Sequence, residues 1–185
     1  LISPEDVRAT SPNPPYWTGD THWNSDSAET LVTAIQESFA GVVMEPAPDV
    51  APHEIQKPQD LLFMLGIDRQ LSGSSVHPSD AAVNLEKRSA ENGALVWTFE
   101  TVGAPATAPT ALFIVDSFVY ATDITAKLLS QFKSGYMIQW PGFKELANLE
   151  PVDVIVLETV ERASYNQFTF LGKPELMDYI ARPAK

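Results

Sequence analysis

Three runs in the second half of the chain, "TALFIV" at 110–115, "YMIQW" at 136–140 and "VDVIVLETV" at 152–160, are apolar almost throughout. A strand with one wet face alternates apolar and polar residues, whereas a strand apolar on both faces has to be covered on both sides. A helical stretch is expected between the first two runs, from Ser117 to about Phe132, and a short one from Pro141 to about Asn148 between the second and third. Strands and helices alternating in this way predict an α/β fold: a parallel sheet flanked by helices, because parallel neighbours need a crossover connection.

Upstream the signals are more local. Asp26 followed by Glu29 has capping-box spacing, which predicts a helix from Ser27. Ala28, Leu31, Val32, Ile35 and Phe39 fall on one stripe of it, and Gly41 supplies the stop. Residues 44–58 carry four prolines and read as an irregular loop, and 69–80 as another, with a short apolar helix "DLLFMLGI" between them. Strand-like runs follow at 82–85 and at 95–101, the latter "LVWTFET" rich in β-formers. At 185 residues the chain is the size of one domain.

Charge and composition narrow the function. A formal charge of −12, with twelve Lys and Arg scattered without a stripe, argues against a nucleic-acid partner. No apolar run approaches the roughly 20 residues a transmembrane helix needs. With no cysteine there is no thiolate nucleophile and no Cys-type zinc site.

The residues most able to carry chemistry are split between two places. Ser117 follows the first apolar strand, where an open parallel sheet gathers its active residues, and the next helix start offers N–H groups to an oxyanion. A serine becomes nucleophilic only beside a base, and the base needs an acceptor to fix its tautomer. "YWTGDTHWN" at 16–24 supplies both: in an extended segment Asp20 and His22 point to one side, so Asp20 can orient the imidazole while Nε2 serves Ser117. Taken singly, Ser117 also reads as a helix cap and Asp20-Thr21-His22 as a turn; their conjunction points to catalysis. His53 and His77 lie in proline-containing loops and are poorer bases by position. Trp23 and Trp17 read either as core or cleft wall or as sugar-stacking platforms, Tyr16 is a further candidate substrate contact, and Glu161 with Arg162 read either as a surface ion pair or as a cleft-lining pair that touches substrate. A metal centre does not fit. "GDTH" looks like the opening block of calcineurin-like metallophosphoesterases, but no later G-N-H-[DE] block exists, and three histidines are too few for a two-metal site.

"YWTGDTHWNSDSAETLVTAI", "DLLFMLG", "ALFIVDSFV" and "VDVIVLETVERA", in that order over roughly residues 10–165, resemble the alginate O-acetyltransferases of the AlgX and AlgJ type. The resemblance implies an SGNH-hydrolase-like (flavodoxin-like) fold in permuted block order and a triad of Ser117, His22 and Asp20. It also implies acetyl transfer to hydroxyls of an extracytoplasmic polysaccharide through an acetyl-serine intermediate. No metal or diffusible cofactor is required; the acetyl donor would come through a membrane-bound O-acyltransferase, and the location would be periplasmic or extracellular. Two departures are visible. Val115 stands where the SGNH serine block usually has glycine, and only nineteen residues precede Asp20, so residues 1–185 are expected to form one such domain or the C-terminal part of one. Two other readings stay open: a carbohydrate acetyl esterase using the same triad, and a non-catalytic glycan-binding or assembly module on the same fold.

Overall fold

The computed structural model describes residues 25–56, 64–65, 72–75, 82–90, 93–116, 119, 124–140, 142–159 and 169–183. Their contacts divide into two compact units: the described residues of Leu1–Ala82 with those of Ser117–Gln131, and Val83–Asp116 with Phe132–Lys185.

The first unit is built around α1, Ser25–Ser38. It begins two residues before the expected start, which puts Asp26 in the first turn rather than at the cap; helix ends vary by that much. The predicted stripe is the buried one, with Leu31, Val32 and Ile35 at 9%, 2% and 4% exposure. Gly41 at φ +78° turns the chain after the helix, a conformation glycine adopts without strain. The proline-rich segment that follows is tied down by hydrogen bonds. Met44 N–H donates to Gln131 O (2.9 Å), Gln36 Nε2 to Met44 O (2.6 Å) and Ala47 N–H to Ser130 Oγ (2.7 Å). Two short strands then pair antiparallel, β1 (His53–Gln56) and β2 (Ser72–Ser75). Each lies inside a segment expected to be an irregular loop. The prolines beside "HEIQ" and the weak β-formers of "SGSS" conceal them, because neither run carries a period of two.

The second unit is a five-stranded sheet made of β3 (Val83–Ser89), β4 (Leu95–Thr101), β5 (Thr110–Val115), β6 (Ser134–Gln139) and β7 (Val154–Leu157), in the order β3-β4-β6-β5-β7. The α/β class is as expected, but the sheet is mixed rather than wholly parallel. β5 runs parallel to β6 and β7, but β3 and β4 form an antiparallel pair and β4 joins β6 antiparallel. The three apolar runs are the parallel strands, and five of the six residues of β5 are buried. β3 sits at an edge with every residue after Val83 exposed, so its sequence has none of the double-sided apolarity that marks a covered strand. Between β5 and β6 the structure describes the helical residue Val119 and the helix α2, Thr125–Leu129, which ends three residues before the expected Phe132; residues 117, 118 and 120–123 lie outside the described residues.

Past β6 the chain makes a 3-10 turn at Phe143–Asn148 where a short helix was expected. After β7 come a second 3-10 turn, Thr169–Gly172, and α3, Pro174–Ile180. α3 has proline at its start and Glu175 in its first turn, signals visible in "KPELMDYI" that were not read as a helix. Its Leu176 and Tyr179 join Leu146 and Leu149 of the first 3-10 segment against Val96, Leu112, Ile114 and Ile138, forming the core on one face of the sheet. The Tyr179 hydroxyl donates to Glu150 O at 2.7 Å, and burial, helped by Tyr136, pushes it up to about 12. The other face carries an aromatic ladder. Phe113 packs edge-on against Phe99 at 6.2 Å and against Phe132 at 5.4 Å between ring centroids.

Candidate active site at the carboxyl end of the parallel strands

β5 lies between its two parallel partners, with β6, next in sequence, on one side and β7 on the other. The chain thus leaves β5 in one direction and returns on the opposite side, which makes the β5 end a topological switch point. In open α/β sheets the crevice for ligands lies outside the carboxyl ends of the strands at such a point. Val115 ends β5, and Asp116 and Ser117 follow it in sequence.

The described groups at this end form one hydrogen-bonded assembly. The β5–β7 ladder is extended by the Glu158 N–H donating to Ile114 O (3.0 Å), and on the other side of β5 the Trp140 N–H donates to Val115 O (3.0 Å). The Trp140 indole Nε1–H spans both partners by donating to Glu158 O at 2.8 Å. The Glu158 side chain turns back to β5, where Oε2 accepts the Asp116 N–H at 3.0 Å. Glu158 is only 6% exposed, and its Oε1 is buried without a hydrogen-bond partner among the described residues. Burial above all, then the negative charge of Asp116, pushes the Glu158 carboxyl well above the ordinary carboxylate range. The end of β5 is therefore flanked, from the end of β7, by a buried acid whose burial and acidic neighbour favour its protonated form. This carboxyl was missed in the sequence reading, which weighed Glu161 and Arg162 three and four residues further on. Its signal was modest: a lone acid closing an otherwise apolar strand.

The residues predicted to do the chemistry, Ser117, His22 and Asp20, and the proposed substrate contacts Trp23, Tyr16 and Arg162, lie outside the described residues. Among the described residues no group of three or more His, Cys, Asp or Glu is arranged to hold a metal ion, and no helix is long and apolar enough to cross a membrane. An open cavity of about 710 Å³ lies at the amino end of the same parallel strands, against Thr110, Ser134, Tyr136, Glu150 and Val152. That is the end opposite to the one where parallel sheets carry their chemistry, so it is not part of this candidate site.

The second unit thus belongs to the mixed α/β class, with a parallel β6-β5-β7 core and the candidate site at the carboxyl end of β5. No protein-family model matches the chain, and no curated protein matches it in sequence. Among solved structures it is similar to PatB1 of Bacillus cereus with a sulfonyl adduct, at 12% identity and a TM-score of 0.49. The match covers 77% of this chain and 59% of that one, so the chain spans well under two thirds of its neighbour's length. With likeness at that level, the functional reading has to rest on the chain's own residues.

Proposed function

We propose that the protein is a serine-dependent O-acetyltransferase acting on hydroxyls of a polysaccharide. The observation that carries this reading is the position of "VDSF": β5, buried on both faces and parallel to a neighbour on each side, ends at Val115, two residues before Ser117. A serine following a switch-point strand is where a nucleophile is expected. The ordered blocks "GDTHW" and "VDSF", with their resemblance to alginate O-acetyltransferases, supply the base and its orienter.

In this reading Ser117 Oγ attacks the acetyl carbonyl as His22 Nε2 takes its proton, with Asp20 holding the imidazole and the Ser117 N–H facing the oxyanion. His22 then protonates the leaving group and acetyl-serine remains. An acceptor hydroxyl, losing its proton to His22, attacks that ester, and as the Ser117 Oγ–acyl bond breaks His22 returns the proton to Oγ, which releases the acetylated glycan and restores the serine. Trp23, Tyr16 and Arg162 are the proposed glycan contacts. The donor would be delivered by a membrane-bound acyltransferase, and the setting would be periplasmic or extracellular. A net charge of −12 favours a neutral glycan over a polyuronate as acceptor.

Turnover of p-nitrophenyl acetate, with and without glycan acceptors, tests the reading. Ser117→Ala and His22→Ala should each lose about a thousandfold or more in kcat. Acetylated glycan among the products identifies a transferase, and free acetate alone identifies an esterase with the same triad. Variants as active as wild type on a folded sample would remove the triad.

A further inference from the structure

The chemistry proposed for Ser117 makes no use of the buried acid at the end of β7. Glu158 is held at three points, its N–H on Ile114, its carbonyl on the Trp140 indole, and Oε2 on the Asp116 N–H. The last of these bonds reaches across the β5–β7 pair to the Val115–Asp116 peptide group, one residue ahead of the peptide that carries the Ser117 nitrogen. Asp116 N–H comes at the point where β5 has stopped pairing with β7, so without Glu158 it would lose this partner at the end of the strand. We infer that Glu158 is a positioning residue for the nucleophile: its carboxyl group, by accepting the Asp116 N–H, fixes the backbone that leads into Ser117. The inference rests on the reading of Ser117 as nucleophile.

Two physical consequences give this role a signature that a packing role lacks. The bond needs an acceptor oxygen rather than a negative charge, so a glutamine can make it. A charge at Glu158 would be unfavourable, since it would sit beside Asp116 in a buried site at the strand end where an oxyanion has to form. Glu158 holds its proton because of burial and the neighbouring Asp116, the titratable group among the described residues whose charge reaches it; Trp140, on the β6 side, is neutral. Raising the pH until Glu158 ionises should therefore leave the bond to the Asp116 N–H in place but set a second negative charge beside the oxyanion and slow the reaction.

The test compares wild type, Glu158→Gln, Glu158→Ala and Ser117→Ala in p-nitrophenyl acetate turnover from neutral to alkaline pH. The rate at which a sulfonyl fluoride labels Ser117, mapped by mass spectrometry, is measured alongside. Glu158→Ala should lower kcat by about a hundredfold, as misplacement of a reacting group does, with KM little changed. Glu158→Gln should recover most of that loss and lack the alkaline fall in kcat and labelling seen in wild type. A glutamine variant as impaired as alanine, or an alanine variant with wild-type rates and pH profile, overturns the inference. If Glu158→Ala does not fold, the glutamine profile decides alone, and an alkaline fall identical to wild type overturns it. If Ser117→Ala is as active as wild type, or wild type is neither active nor labelled, the nucleophile reading itself has failed and this one falls with it.

Discussion

Lys127 is 5% exposed, yet it carries a full charge. Its Nζ donates to Glu29 Oε1 at 2.5 Å and to Asp49 Oδ1 at 2.7 Å, joining α2 to α1 and to the proline-rich segment. Burial lowers its proton affinity, but the hydrogen bonds and charges of Asp49 and Glu29 outweigh this and hold the amine above its ordinary 10.5. The partners are much more exposed, with side chains at 38% and 51%. Loss of the lysine lets them rehydrate, whereas loss of the carboxylates strands a buried ammonium. Lys127→Met should therefore cost about 1 kcal/mol or less, and Glu29→Ala with Asp49→Ala about 3–5 kcal/mol, in urea unfolding. The sign with pH follows from the raised value: the interaction contributes fully below 10.5 and is lost as pH climbs through the folded-state pKa. Stability of wild type relative to Lys127→Met should fall over that alkaline range, and a flat difference would rule the ion pair out as its source.

Among the elements, the β5–β6 pair fits closely. Gly135 lies opposite Ala111 in the parallel ladder, and a Cβ built there would come within 1.8 Å of the Ala111 carbonyl oxygen. Backbone cannot swing aside as a side chain can, so Gly135→Ala should destabilise the sheet by about 3 kcal/mol or more, read as a lowered thermal midpoint. Ser134→Ala, next to it, should move the midpoint far less. This contact was not legible in the sequence, because a glycine before "YMIQW" looks like an ordinary strand boundary. The parallel strands themselves were legible, since burial on both faces leaves an unbroken apolar run. β4 could be read from its β-formers, and α1 from its stripe. Strand direction was not: an exposed edge such as β3 has the same composition whether it runs parallel or antiparallel to its neighbour. At the candidate site, the sequence showed that a serine follows β5. It did not show that Glu158 would fold back onto Asp116, because that contact joins residues 42 apart through tertiary pairing alone.

For the molecule as a whole, a net charge of −12 acts on any acceptor before contact is made. With a polyuronate as acceptor, long-range repulsion should slow encounter at low salt, and kcat/KM should rise with ionic strength as the Debye length shrinks below about 10 Å. With a neutral glycan the same titration should be nearly flat. A fall with added salt would instead reveal a local basic cleft that overrides the global charge. The outermost strand of the sheet meets the solvent differently. β3 offers seven residues of extended backbone at the sheet's edge, the sort of template on which a stray strand from another molecule can nucleate a fibril. Glu86, Lys87 and Arg88 stand exposed along it, with Arg88 bridged to Glu145 and Lys87 lying over the Trp97 ring. An added strand would have to strip water from all three charges, and an identical strand laid alongside in register would set like charges together. That charged hem works against edge-to-edge growth without the sheet having to close into a barrel.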